Sequence, residues 1–352
     1  MSLFRPDVEA LAAYTMRERA LPVKVNQNEL PWDWPEALKE EAARAALETA
    51  FHRYPPFDEE RLTCALEARW ALPSGSVLVG NGSNEVLQAL FLAALGPGRT
   101  VLLPRPSFGL YRQMALLASA RAVEVDLAGG LSYDAGAFLD AVRRERPDLV
   151  LLCCPNNPTG AVFPRERLRE LMGAAPGLVA VDEAYAEFTD WTSTDLLPAQ
   201  ERLVVLRTFS KAWGAASLRL GYALAAPPTA LQVRKALLPY NVSALSAALG
   251  ALALQNAGLF EQRVALLRRE RGRLFDALKA VEGLEAAPSE ANFLLVRLRR
   301  KEAGEVHEAL KERGILVRDV SAMPGLAGCL RLSVGSPEEN DRVVEALREV
   351  LR

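Results

Sequence analysis

The sequence predicts an α/β protein: a large unit on a mostly parallel, seven-stranded sheet, followed by a smaller α+β unit toward the C-terminus. Three observations predict it. Short apolar runs of strand length alternate with stretches of helical spacing from Val77 to Ala223. Those runs are near-continuously apolar, the pattern of strands covered on both faces. A chain of 352 residues with a hydrophobic fraction of 50% exceeds one compact core of typical size, so two domains are expected.

Residues 1–35 read as an N-terminal arm, because Leu21-Pro22-Val23-Lys24-Val25-Asn26-Gln27-Asn28-Glu29-Leu30-Pro31 is extended and interrupted by prolines that stop a helix. Pro35 to Arg53 has helical spacing. The alternation then predicts strand 77–80, helix 85–95, strand 100–103, helix 108–117, strand 122–125 and helix 135–146. It continues with strand 149–154, helix 165–172 and strands 178–181, 203–206 and 220–223. After Pro227-Pro228 the spacing is helical to Leu238, and again from Ser243 to Val281 with Gly258 and Gly272 as candidate breaks. The domain junction falls here, giving a large unit over 36–235 and a small one over 236–352. The small unit is expected to hold strand 293–298, helix 305–313, strands 315–320 and 329–334, and helix 337–351.

The net charge of −2, without a basic block beyond Arg297 to Lys301, lacks the electrostatic footprint of a nucleic-acid binder. A small soluble substrate fits better. The longest apolar stretches, such as Val86 to Leu95, are too short to span a bilayer. The first twenty residues have no continuous apolar core, so no signal peptide is visible and a cytoplasmic protein is expected. Cys64, Cys153, Cys154 and Cys329 show no pairing pattern and read as reduced thiols. With His52 and His307 the only histidines, neither a His-rich metal site nor a His-based triad is expected, and no metal is assigned.

Lys211 is the most informative position. Lys39, Lys235, Lys279 and Lys311 lie on amphipathic helical patterns, Lys301 lies in a charged loop and Lys24 in the arm. Only Lys211, in Arg207-Thr208-Phe209-Ser210-Lys211-Ala212-Trp213, follows an apolar strand into a turn of small and polar residues, where sheet edges meet ligands. Poor solvation and the nearby cation Arg219 both lower a lysine's pKa, favouring the neutral amine that attacks a carbonyl. That is Schiff-base chemistry.

Other strand ends carry matching groups. Gly80-Asn81-Gly82-Ser83-Asn84 joins a strand to a helix and offers either a phosphate cradle at the helix N-terminus or an ordinary N-cap. Arg219 and the hydroxyls of Thr208 and Ser210 favour the cradle. Asp182 leaves an apolar strand as a carboxylate, which suits a bound cation or protonated ring nitrogen, or backbone N–H groups. Tyr185 lies three residues on. In Cys154-Pro155-Asn156-Asn157-Pro158-Thr159-Gly160 two prolines aim an amide side chain, and Phe108 can either stack on a flat heterocycle or join the core. Arg318 and Arg331 interrupt apolar strands and ask for an anionic partner.

In this order, Ser83-Asn84, Phe108, Asn157-Pro158-Thr159-Gly160, Asp182-Glu183-Ala184-Tyr185, Ser210-Lys211, Arg219 and Arg331 resemble the pyridoxal-phosphate aminotransferases of fold type I. The resemblance spans the whole chain. It is nearest the histidinol-phosphate aminotransferases, on the compact length, Asn26-Gln27-Asn28-Glu29, Arg53-Tyr54-Pro55 and the spacing of Val317-Arg318-Asp319 to Cys329-Leu330-Arg331. The resemblance implies pyridoxal 5′-phosphate as cofactor, with Lys211 as the imine-forming and proton-shuttling amine and Asp182 on the pyridinium nitrogen. It implies that Asn157 and Tyr185 bond the ring O3′ and that Phe108 stacks on the ring. Ser83, Asn84, Thr208, Ser210 and Arg219 would hold the phosphate, with Tyr54 from the other subunit of a homodimer. Arg331, Arg318 and Tyr14 would bind substrate, which would be L-histidinol phosphate with 2-oxoglutarate. An aromatic aminotransferase or a threonine-phosphate decarboxylase on the same scaffold are the alternatives. Three departures stand out: Asn84 where Asp is commoner, Phe108 where Tyr is commoner, and Asn-Gln-Asn-Glu-Leu-Pro in place of Asn-Glu-Asn-Pro.

Overall fold

The computed structural model describes residues 3–11, 13, 21–56, 60–129 and 131–352. In chain order it holds α1 (Pro6–Glu9), β1 (Val23–Lys24), α2 (Glu36–Glu48), α3 (Glu60–Trp70), β2 (Val77–Asn81), α4 (Ser83–Ala94), β3 (Thr100–Arg105) and α5 (Leu110–Leu117). There follow β4 (Arg121–Asp126), α6 (Ala135–Glu145), β5 (Leu149–Cys153), α7 (Arg165–Ala174), β6 (Leu178–Asp182), β7 (Leu203–Thr208), β8 (Leu220–Ala225) and α8 (Pro227–Arg234). The chain continues with α9 (Ala244–Gln255), α10 (Ala257–Lys279), β9 (Leu284–Ala286), β10 (Phe293–Leu298), α11 (Ala303–Glu312), β11 (Ile315–Leu316), β12 (Arg318–Asp319), β13 (Cys329–Ser333) and α12 (Pro337–Leu351).

Seven strands form one sheet in the order β2-β8-β7-β6-β5-β3-β4, all parallel except β8, which runs antiparallel to both its neighbours. Both faces are buried, and the two-residue strand period shows it directly. Leu149 and Leu151 pack with α4, α5 and α8, whereas Val150 and Leu152 pack with α6 and α7. Val204 and Leu206 face the first side, Leu203 and Val205 the second. Each leucine wholly buried in this way contributes about 1.5–3 kcal/mol relative to exposure.

This topology positions the site. The C-terminal ends of β2, β3, β5, β6 and β7 share one sheet edge with the start of β8, so the turns after them converge.

A four-stranded antiparallel sheet, β12-β13-β10-β9, forms the second layered unit, with α10, α11 and α12 packed on it or on one another. Helix α12 starts at a capping box: Ser336 accepts from the Glu339 N–H, and Glu339 accepts from the Ser336 N–H.

Several boundaries differ from the sequence expectation. The stretch expected as one strand from Ile315 to Val320 splits, because Ile315–Leu316 pairs in parallel with the arm strand β1 while Arg318–Asp319 pairs with β13. The chain changes sheet at the buried Val317. The long helical stretch breaks at Asn256, and Gly272 lies inside α10 without interrupting it. Helix α2 ends at Glu48, short of Arg53, and α5 begins at Leu110, past Phe108. Helix α3 and strand β9 were not foreseen. Only Leu62, Leu66 and Glu67 of α3 are buried, a narrow stripe among charges. No helix among the described residues is long and apolar enough to cross a membrane.

Candidate active site

Lys211 sits in the turn after β7, half-buried, with its Nζ donating to the Gln27 carbonyl at 2.7 Å. Burial, followed by the positive charge of Arg331, pulls its pKa down from the ordinary lysine range to about 7, with Arg219 and Lys24 acting in the same direction and Glu29 against them. The Tyr185 ring lies 6.0 Å from Nζ.

Asp182 ends β6, buried. Its Oδ2 accepts from the Tyr111 hydroxyl at 2.7 Å and its Oδ1 from the Ala184 N–H at 3.1 Å. Burial still drives its pKa up. The neighbouring Glu183 behaves differently: it is wholly buried but bonded to Arg207 at 2.6 Å and to the N–H and hydroxyl of Ser193. Of two adjacent carboxylates, one is fully compensated within the core and the other has hydrogen bonds but, among the described residues, no cation beside it. An ionised carboxylate held this way suits a bound positive charge.

The doubled asparagine of the loop after β5 separates into two roles. Asn156 is wholly buried, accepting from Ser107 Oγ at 2.6 Å and donating to the Pro106 carbonyl at 3.0 Å and Thr159 Oγ1 at 2.9 Å. Asn157 faces the cleft, where its Oδ1 accepts from Arg331 Nη1. Arg331 also donates to the Asn26 carbonyl at 2.7 Å and lies 5.3 Å over the Phe293 ring. Arg318 is its register partner across β12 and β13 and is half-buried. Tyr185 accepts from Asn28 Nδ2 at 2.9 Å and meets Phe293 edge-on. Burial pushes its phenol up to about 12.

At the other end, Gly82 turns the chain with φ +79° and precedes α4, whose first residues are Ser83 and Asn84. No side chain caps this helix, so its first N–H groups are left for a ligand. Arg219 packs over the glycine so closely that a Cβ at Gly82 would stand 2.6 Å from its Nη2. Arg219 Nη1 reaches Ser210 Oγ at 3.4 Å, and Thr208 Oγ1 accepts from the Ser210 N–H at 3.1 Å. These groups form one cationic, donor-rich cradle suited to an anion.

Phe108 is half-buried at the end of β3, edge-on to Tyr111. Tyr54 stands apart from this cluster, 81% exposed and stacked on Tyr240 with centroids 4.8 Å apart. Tyr14 lies outside the described residues. Sequence reasoning did not single out Tyr111, nor the direct contacts of arm residues 26–28 with Lys211, Arg331 and Tyr185. Tyr111 could have been found as the residue one helical turn after Phe108.

The model of the aminotransferase class I and II family matches residues 22–347. The chain is 41% identical over 354 residues to a histidinol-phosphate aminotransferase of Methylibium petroleiphilum, covering 99% of this chain and 94% of the relative. It is 38% identical over 350 residues to one of Chlorobium chlorochromatii, covering 99% and 96%. A crystal structure of histidinol-phosphate aminotransferase from Sinorhizobium meliloti in complex with pyridoxal-5′-phosphate superposes with a TM-score of 0.88 at 27% identity, covering 100% of this chain and 98% of that one. With the lysine, the buried aspartate and the anion cradle on one sheet edge, the match over nearly the whole length has a single meaning: this chain belongs to the class I and II aminotransferases.

Proposed function

We propose that the protein is a pyridoxal-phosphate-dependent enzyme that moves the amino group between L-histidinol phosphate and 2-oxoglutarate, in histidine biosynthesis. The observation that carries the reading is the placement of the half-buried Lys211 amine on the same sheet edge as Asp182, whose carboxylate accepts from the Tyr111 hydroxyl and the Ala184 N–H.

The residues fit the cofactor part by part. The uncapped start of α4 with Ser83, Asn84, Thr208, Ser210 and Arg219 suits a phosphate. The buried Asp182 suits a protonated pyridine nitrogen, Asn157 and Tyr185 suit the ring hydroxyl, and Phe108 suits a ring face. When bound, pyridoxal phosphate supplies an aldehyde for the amine and a ring that draws electrons away from the substrate's α-carbon. Lys211 would supply the amine that takes the aldehyde and the base that moves the proton of the substrate's α-carbon, and burial, by disfavouring its charged form, suits it to both. Asp182 would hold a proton at the ring nitrogen. Arg331 would bind the carboxylate of the amino-acid and keto-acid partner and, with Arg318 and Tyr14, the phosphate of histidinol phosphate.

A homodimer is part of the proposal. Leu47, Phe51, Tyr54, Leu238 and Tyr240 are large apolar side chains exposed on two adjoining segments, joined by the Tyr54–Tyr240 stack. Tyr54 would reach the phosphate site of the second subunit from there. The partition into arm (1–35), cofactor-binding unit (36–235) and C-terminal unit (236–352) belongs to the same reading, as does a cytoplasmic location, in keeping with four free cysteines.

A substrate panel tests the assignment. With pyridoxal phosphate and 2-oxoglutarate, the purified enzyme should form glutamate rapidly when histidinol phosphate is the amino donor and much more slowly with phenylalanine, tyrosine or threonine phosphate. No turnover of histidinol phosphate with good turnover of the aromatic amino acids would overturn the substrate. Carbon dioxide release from threonine phosphate without a keto acid would mark a decarboxylase.

A further inference from the structure

Tyr111 is fully buried on α5, one turn beyond Phe108. Its hydroxyl donates to Asp182 Oδ2 at 2.7 Å, and its ring meets Phe108 edge-on, with centroids 5.4 Å apart and planes at 83°. One side chain therefore touches both the carboxylate and the aromatic face assigned to the cofactor. We propose that Tyr111 is a positioning residue that decides where the proton shared by Asp182 and the cofactor's ring nitrogen resides, keeping it on the nitrogen. This rests on the reading of the site as a pyridoxal-phosphate site.

Asp182 and the ring nitrogen are competing bases. A carboxylate removed from water becomes a stronger base, and burial does this to Asp182, with a lesser push from the charge of Glu183. The Tyr111 hydroxyl and the Ala184 N–H act against it. The backbone donor serves Oδ1, and Tyr111 serves Oδ2. Among the described residues, the other titratable groups beside Asp182 bring no positive charge to it. Glu183 is paired with Arg207. The Cys153 thiol is pushed up to about 12 by burial and by Asp182, and the Tyr185 phenol reaches about 12 through burial. Tyr111's own ionisation is pushed well above its ordinary value by burial and by Asp182, so it remains a neutral donor throughout the working range. Without that donor the carboxylate would compete better for the shared proton, and a ring with a neutral nitrogen accepts electrons poorly.

The test uses holoenzyme loaded with pyridoxal phosphate carrying ¹⁵N in the ring. Tyr111→Phe removes the hydroxyl while retaining the ring and its edge contact with Phe108. The expected result is a shift of the proton equilibrium toward Asp182 of about tenfold, the size of one hydrogen bond to a charged group. It is read as movement of the ¹⁵N resonance toward that of neutral pyridine, with kcat reduced and KM for the keto acid little changed. Met114→Leu, a buried apolar exchange on the same helix, should leave the resonance in place. An unmoved resonance in Tyr111→Phe, even with a lower melting temperature, would reduce Tyr111 to a packing residue and overturn the proposal, as would an equal movement in Met114→Leu. Failure of the unmutated protein to take up pyridoxal phosphate would instead sink the reading of the site, and the proposal with it.

Discussion

Arg331 of β13 donates to Oδ1 of Asn157, in the loop after β5, across 174 residues of sequence. The bond ties the C-terminal sheet to the edge of the seven-stranded sheet at the mouth of the cleft. Arg331 is buried, and it stands close enough to Lys211 to lower the lysine's pKa.

Arg331→Gln should therefore affect binding first. Loss of a planar cation that can take a carboxylate by two parallel bonds is expected to lower kcat/KM for the keto acid about a hundredfold, mostly through KM. Steady-state kinetics with 2-oxoglutarate checks it. A fall in kcat alone would place Arg331 outside the binding site.

The pH dependence of cofactor capture follows from Lys211. Burial and Arg331 disfavour its charged form, so protonation occurs only as pH falls through about 7. Below that value the neutral amine declines about tenfold per unit of pH. The rate at which cofactor-free protein attaches pyridoxal phosphate, followed by stopped-flow absorbance, should rise from pH 5 and level off above about pH 8. An ordinary lysine would give a rate still rising at pH 9.

The Arg207–Glu183 pair tests the framework beneath the site. Both side chains are almost wholly buried, and Arg207 also bonds Glu187 at 3.2 Å and lies 4.7 Å over the Trp70 ring. The two carboxylates hold the guanidinium charged against the opposing effect of burial. Arg207→Met leaves Glu183 buried without its cation and should destabilise the fold by about 3–5 kcal/mol. Denaturant unfolding measures it, and Arg207→Met/Glu183→Gln should recover part of the loss.

Gly82 is required by both its backbone and its neighbour. An alanine there would have to hold φ +79° and push against Arg219. Gly82→Ala should cost about 1–3 kcal/mol and weaken cofactor binding. Gly109→Ala is the comparison, since a Cβ there meets nothing within 4 Å. Equal effects from the two on melting temperature and on pyridoxal-phosphate affinity would contradict the cradle.

What could be read from the sequence was what local pattern encodes. Six of the seven strands were legible because each is largely apolar, and the edge strand β4, Arg-Ala-Val-Glu-Val-Asp, by its short Ala-Val and Val positions between turns; the glycines of residues 80–82 and the position of Lys211 after β7 announced a ligand edge. The arm's pairing with Ile315–Leu316 was not legible, because two-residue strands carry no period and their partner lies far along the chain. Helix α3 escaped because its buried stripe is too narrow among charges to give a clear period. Tyr111 and Asn28 were missed for a different reason: each acts on a residue 71 or 157 positions away, a relation that only the sheet order creates. In the paired asparagines, the sequence indicated an aimed amide, and the structure assigns the aim to Asn157 and the internal bracing to Asn156.

The proposed chemistry requires the amine at the end of β7 to hold the cofactor covalently. The most direct measurement is to incubate the protein with pyridoxal phosphate, reduce with borohydride and map the added mass by peptide sequencing. One stable adduct per chain is expected, on Lys211, absent from Lys211→Ala together with an activity loss of roughly a thousandfold or more. An adduct on any other lysine, or none at all, would contradict it.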